Sequence, residues 1–297
     1  MPREVKFSYS VVNVTMHPHS AKQYVGLFND AFSEMPAVKQ KYFGNDYISL
    51  KVDSTDFSNN RGGEAKFITG LIFKYTKIGD GDWFDGQECI ALKETDKPDF
   101  DTERYCPNLN ELPFVFFPDG HRIFFVKAHK GKNISTAYFA RALESLLNRE
   151  FLQEKYGKVE VNVEMDISGI EAILGLQRID RLQISVSLPN GDDLEEEEEE
   201  WLRSMREQEI AKISEDLKGH RNGNIKPNTR TKALMGLAQS NGTIIAHGLH
   251  HGEKIVWKSS EFPVDFQDKY HPESSVLEQL IKNGIAKLSL FTNRQRK

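Results

Sequence analysis

Cysteine is almost absent. Cys89 and Cys106 alone cannot build a disulfide framework or a structural zinc site, a usage that fits a reducing cytoplasm. Long apolar runs are missing too. None approaches the roughly 20 residues of a membrane helix, and the start MPREVKFSYS has no apolar h-region, so a cytoplasmic chain without membrane insertion is expected. The signatures of hydrolytic and nucleotide chemistry are also lacking: there is no HExxH, no GxSxG elbow and no GxxxxGK[ST] loop. No internal repeat is evident.

What is present is a core. Among 297 residues, 38% are hydrophobic and 19 are Phe, enough for one large or two ordinary domains and too many for a disordered chain. The formal charge of −5 is unevenly spread. Eight carboxylates fall between Asp192 and Glu200, and removing them leaves a body of +3. A mildly basic body with one acidic block keeps nucleic acid among the possible partners.

Periodicity outlines the elements. Val5, Phe7, Tyr9 and Val11 alternate with Lys6, Ser8 and Ser10, which predicts a strand over Glu4 to Thr15. Tyr24, Leu27, Phe28, Ala31 and Phe32 recur at helical spacing, in a helix ending near Met35-Pro36. Strands are expected at Tyr47 to Val52 and Glu64 to Thr76, followed by an irregular excursion from Lys77 to Leu112. Phe114 to Phe117 should pair with Arg122 to Lys127 across Pro118-Asp119-Gly120. Ser135 opens a helix closed at Gly157, and Val159, Val161 and Val163 form the next strand. A short helix covers Gly169 to Leu176. Leu182 to Leu188 alternate before the turn Pro189-Asn190-Gly191, and the acidic block opens a helix running from Leu194 to Lys218. Ala233 to Ala238 and Thr243 to Leu249 are expected as a hairpin about the turn Ser240-Asn241-Gly242, with a third strand at Lys254 to Ser259. A closing helix follows at Ser274 to Ala286.

The predicted class is α+β: a mixed, mainly antiparallel sheet with hairpins and flanking helices, plus a small C-terminal β-hairpin and helix unit. The expected divisions are a core over 1–190, an acidic helix over 191–219 and the small unit over 220–297.

Two basic clusters stand out. Arg122, Lys127, Lys130 and Lys132 lie at and after the best hairpin, and Arg221, Lys226, Arg230 and Lys232 lie in the connector before the last unit. Lys and Arg supply charge to a polyanion, and glycine turns such as Arg61 to Gly63 and Lys130 to Lys132 let backbone amides approach phosphate. The aromatics of the hairpin, Phe114, Phe116, Phe117, Phe124 and Phe125, lie on both faces of the strands and so read as buried rather than as a base-stacking platform. His17 and His19, with His247, His250 and His251 of HGLHHG, would make a metal or acid-base site if the two ends of the chain met. Their spacing matches no metal motif, so no metal and no cofactor is expected. Cys89 and Cys106 have no neighbouring His to activate them. The run Glu195 to Glu200 reads first as a solvated helix start; the alternatives are a mimic of nucleic acid that holds back a basic surface and a docking face for a protein.

Leu182 to Asn190, LQISVSLPN, and the segment SNGTIIAHGLHHGEKI with its closing helix resemble the RexA-like phage exclusion proteins and bacterial proteins encoded in phage-defence loci, over roughly residues 110 to 290. The resemblance implies a cytoplasmic, dimeric, DNA-binding α+β protein without an established catalytic centre. It carries over no site residues, and the acidic run has no counterpart in it. The leading expectation is a non-enzymatic effector or sensor of abortive-infection type that binds nucleic acid, DNA ahead of RNA, through these basic turns as a homodimer. A partner protein from the same defence locus could join it. One alternative is a toxin enzyme acting on nucleic acid through His247, His250 and His251. Another is an interaction module whose acidic helix holds a basic partner.

Overall fold

The computed structural model describes residues 3–32, 40–56, 66–78, 84–85, 87, 89–91, 101, 104–188, 196–221 and 223–292. The chain opens with β1 (Val5–Met16), α1 (Ala21–Phe32), β2 (Gln40–Phe43), β3 (Asp46–Asp56) and β4 (Phe67–Thr76). A two-stranded excursion, β5 (Phe84–Asp85) and β6 (Ile90–Ala91), precedes β7 (Asn110–Phe117), β8 (Arg122–His129) and β9 (Lys132–Asn133). Next come α2 (Thr136–Leu147), α3 (Glu150–Tyr156), β10 (Val159–Val163), α4 (Ile167–Leu174) and β11 (Arg178–Ser187). The last part holds α5 (Glu196–Glu207), β12 (Lys212–Lys218), α6 (Thr229–Asn241), β13 (Gly242–His250), β14 (Glu253–Lys258), β15 (Asp265–Tyr270), α7 (Val276–Lys287) and α8 (Ser289–Thr292).

The class is α+β with antiparallel sheets. The larger sheet has the order β10-β1-β8-β7-β4-β3-β2, with β9 added to β8 and β15 added to β1. β1 is long enough to serve two partners along one edge: Val5 to Ser10 pair with β15, and Val12 to Met16 pair with β10. The smaller sheet has the order β12-β11-β13-β14.

The expected hairpin is present, with Phe114 opposite Phe125 and Phe117 opposite Arg122. Its phenylalanines are buried on both sides because helices cover both faces. On one face Phe28 of α1 stacks on Phe116 at 4.5 Å and Phe139 of α2 meets Phe125 at 4.4 Å; on the other, Phe291 of α8 meets Phe124 at 5.9 Å. Each such ring contributes about 1.5–3 kcal/mol by leaving water, and none is free to stack on a base. A second core lies under the smaller sheet, where Leu182, Ile184, Ile244 and Ala246 meet Leu234, Met235 and Ala238 of α6.

Several expectations are corrected. The helix expected from Ser135 to Gly157 breaks at Asn148 and Arg149 into α2 and α3, and the Asn148 side chain donates to the carbonyls of Glu144 and Val159. The acidic helix stops at Glu207, and Lys212–Lys218 is a strand paired with β11. Its residues KISEDLK are good helix formers one by one, but Ile213, Glu215 and Leu217 alternate inward with period two, and the pairing decides. Ala233 to Ala238 is helical, not a strand. Met235, Leu237, Ala238 and even Gln239 are buried around α6, so no polar face marks a helix. The hairpin in that region is instead β13–β14, turning at His251-Gly252. The boundaries 1–190, 191–219 and 220–297 cut across the two sheets, since β11 belongs to the smaller one and β15 returns to the larger. The turns at Arg61 to Gly63 and Pro189 to Gly191, the helix end at Met35-Pro36, and Asp192, Asp193 and Glu195 lie outside the described residues.

Candidate nucleic-acid interface

Arg122 is not a surface cation. It is 7% exposed, and its Nε lies 2.6 Å from Oε1 of the fully buried Glu164. Its Nη1 donates to Oδ1 of Asn13 at 2.8 Å and to the carbonyl of Gly120 at 3.0 Å. A guanidinium held this way cannot reach phosphate; its place at the inner end of β8 is fixed by pairing Asn13 on β1.

Lys127 is also engaged, in an ion pair with Asp265 across the sheet. Lys130 is exposed and Lys132 half-buried. His129 pairs with Lys132, so Lys130-Gly131 forms a two-residue turn with φ of 48° and 79°, the twist that a tight hairpin between right-handed strands requires. This turn borders a groove of about 740 Å³ that draws on three separate parts of the chain. Lys6 comes from β1 and Lys269 from β15, where they stand opposite each other in register, joined by Ser8, Asn133 and Gln267. Four lysines therefore line it with these polar residues, alongside Phe7, Ala128 and His129. Glu4, 3.7 Å from Lys269, and Asp268 are the acidic members of its lining. Burial pushes the Asp268 carboxyl up, but hydrogen bonds from Asn283, the Lys269 amide and Gln279, with Lys287 beyond, outweigh it and hold the group below its ordinary value. It stays an anion, and its Oδ2 is turned to α7, whose Gln279 and Asn283 donate to it at 2.9 and 2.7 Å.

His129 reports on the groove. Its Nε2 lies 2.9 Å from the Tyr270 hydroxyl, and its pKa is lowered by burial first and then by the charges of Lys130 and Lys132.

The connector cluster forms a second, separate surface. Arg221, Lys226, Arg230 and Lys232 are all exposed. Arg230 lies over the ring of Trp201 at 4.6 Å, with Glu215 3.8 Å away, so the start of α6 sits against α5. The structure keeps the two basic clusters apart on different units.

The histidines do not converge. His19 meets His121 at 5.0 Å and His17 at 5.7 Å beside β1, whereas His250 and His251 pack ring against ring at 4.2 Å in the exposed β13–β14 turn. His247 stands on β13 opposite Arg181 and Val256. Among the described residues no group of three or more His, Cys, Asp or Glu side chains could hold a metal ion. Cys89 and Cys106 are unbridged. No helix among the described residues is long and apolar enough to cross a membrane.

Lys6 and Lys269 were missed by the expectation from sequence. The polar face of β1 gave a signal in Lys6 and Ser8, but DFQDKY of β15 is too charged to read as a strand pairing with it.

Fold and groove thus define a mixed, mainly antiparallel α+β protein with two sheets and lysine-lined surfaces. The chain belongs to the family described as Domain of unknown function (DUF4747), whose model matches residues 5–285. No curated protein matches it.

Proposed function

We propose that the protein is a nucleic-acid-binding effector or sensor of bacterial anti-phage defence, abortive-infection type, that holds the phosphate backbone without catalysing a reaction on it. The observation that carries the reading is the groove in which Lys6, Lys130, Lys132 and Lys269 are gathered from β1, the β8–β9 turn and β15. Three of these four come from, or next to, edges of the larger sheet, outside the ion pairs that hold Arg122 to Glu164 and Lys127 to Asp265, and Lys269 lies 3.7 Å from Glu4. Repeated point charges over small polar groups suit phosphates. They suit a sequence-tolerant grip, because the ring of Phe7, which belongs to the lining, is buried against Tyr9 and Tyr270 and is not open to a base. The resemblance to RexA-like proteins supports the defence setting, DNA as the polymer, the cytoplasm as the place and a homodimer as the working state.

The test is a fluorescence titration of a 30-base-pair duplex with wild type and with Lys6→Gln/Lys130→Gln/Lys132→Gln/Lys269→Gln. Wild-type affinity should fall steeply with salt, and the variant's logarithmic salt slope should be shallower by about 0.9 for every phosphate it no longer neutralises. Equal slopes would sink the groove as the binding surface. Phage plating on cells carrying either version tests the defence role, and light scattering tests the dimer.

A further inference from the structure

We infer that the outer face of the smaller sheet is a second surface for nucleic acid and that it takes a single strand. The inference rests on the nucleic-acid reading above but on different residues. Strand alternation divides this sheet cleanly. Ile184, Val186, Ile244 and Ala246 point into the second core under α6, and the residues between them point the other way. Glu215 confirms the sides: it faces inward, within reach of Arg230 on α6, while Ser214 and Asp216 beside it are exposed.

The outward residues are cationic at both edges and polar between. Lys212 and Lys218 stand on the edge strand β12, and Lys254 and Lys258 on the opposite edge strand β14; all four are exposed. Arg181 and Asp216 offset each other in a two-pronged pair at 2.7 and 2.6 Å. Among the described residues Lys218 has its Nζ 3.9 Å from Asp216, and Lys212 and Lys258 border a cavity that also carries Glu144, Glu160 and Glu261, so the lysines outline the face with carboxylates near one end of it. Between the edges, three strand spacings or about 14 Å across, Ser185 and Ser214 share a hydrogen bond at 3.1 Å, and Gln183 and Thr243 lie beside them. Half-buried Ile245 and Leu249 and exposed Val256 add apolar surface next to His247.

Charge complementarity identifies an anionic occupant, and the floor selects its form. A duplex presents phosphates and hides its bases, leaving the amide, hydroxyl and apolar groups of the floor without partners. A single strand can set phosphates against either lysine edge and lay unstacked bases on the floor between them. Among the described residues no Phe, Tyr or Trp points outward here, so the binding is electrostatic and tolerant of sequence.

The full-length variant Lys212→Gln/Lys218→Gln/Lys254→Gln/Lys258→Gln tests this beside the groove variant defined above. The probes are fluorescein-labelled oligothymidylate of 30 nucleotides, the 30-base-pair duplex and poly-glutamate, with circular dichroism melting to confirm folding. The sheet variant should bind oligothymidylate at least tenfold more weakly at about 100 mM salt, with a salt slope shallower by about 0.7 for each phosphate left unneutralised. Its duplex affinity should stay within about twofold of wild type. Wild-type affinity of the sheet variant for oligothymidylate overturns the inference while leaving the groove reading intact. Loss of poly-glutamate binding with oligothymidylate binding retained overturns it in favour of an acidic protein partner. If wild type binds neither nucleic acid, the reading of function falls first and this inference with it.

Discussion

Arg122 and Glu164 form an ion pair sealed from solvent between the two sheets, with Nε 2.6 Å from Oε1. Each partner is tied further. Oε2 of Glu164 accepts from the Ser240 hydroxyl at 2.8 Å, and Asn13, which accepts from Arg122, donates to the Ser240 carbonyl and to Oδ1 of Asn241, both at 2.9 Å. The pair thus links β1 and β8 of the larger sheet to the C-terminal end of α6 beneath the smaller one. Val264 adds to the seam by donating its amide to the Glu164 carbonyl.

Removing one partner should be severe. Glu164→Gln keeps the shape but leaves a buried guanidinium without its counter-charge, a change that costs about 3–5 kcal/mol. Arg122→Met should cost a similar amount. The double variant Arg122→Met/Glu164→Leu should lose clearly less than the two singles together, because no uncompensated charge remains. Urea denaturation of the four proteins checks this. Additive losses would show that the pair is not coupled.

The same arginine shows where sequence reading succeeds and where it stops. Alternation located β1 and the β7–β8 hairpin, because apolar side chains packed between two helical layers leave a plain trace. It could not separate Arg122 from Lys130, since both sit at strand ends and only the fold says which end faces Glu164. α6 escaped for a related reason: a helix buried on most sides, Gln239, Ser240 and Asn241 included, has no polar stripe, and Asn241-Gly242 imitates a hairpin turn. Lys6 and Lys269 became neighbours only through a pairing between residues at opposite ends of the chain.

Gly242 marks the join of α6 and β13. A Cβ there would stand 1.9 Å from the Ser185 carbonyl oxygen, a backbone atom of β11 with no rotamer to move aside. Gly242→Ala should therefore force β11 and β13 apart where the register begins, at a cost of about 3 kcal/mol, the upper part of the range for overpacking. Thermal melting measures it, and exchange of the Ile244 amide, which donates to Oγ of Ser259 at 3.0 Å, should speed up.

His129 gives a pH-dependent signal. Its folded pKa is depressed, so the unfolded chain takes up its proton first as pH falls. The contribution of this residue to stability is complete above the unfolded value near 6.5, declines as pH drops from there to the folded pKa, and levels off below it. Lys130→Gln/Lys132→Gln should raise the pKa measured by imidazole NMR only part of the way, because burial is the larger cause. A polyanion seated in the groove should raise it in the wild type, by screening the same two ammonium groups. No movement on binding would place the phosphate elsewhere.

The acidic helix supplies the last test, because Arg230 over Trp201 fixes which basic surface it adjoins. Glu199 and Glu200 are exposed and lie within one turn of Trp201 on α5, and the ring of Trp201 meets Arg230 at the start of α6, which also carries Lys232 and follows the connector with Arg221 and Lys226. Screening over about 8 Å at physiological ionic strength confines their influence to this neighbourhood and spares the groove on the larger sheet. Glu199→Gln/Glu200→Gln removes two charges while keeping length and helix propensity. If the connector touches phosphate, this variant should bind duplex severalfold more tightly at low salt, and the gain should fade near 1 M, where screening shortens to about 3 Å. Adding Arg221→Gln/Lys226→Gln/Lys232→Gln should abolish the gain, whereas adding the groove substitutions should lower affinity without altering it. An unchanged affinity at about 10 mM ionic strength, where charges act over some 30 Å, would remove the connector from the interface and leave α5 as a surface for something other than nucleic acid.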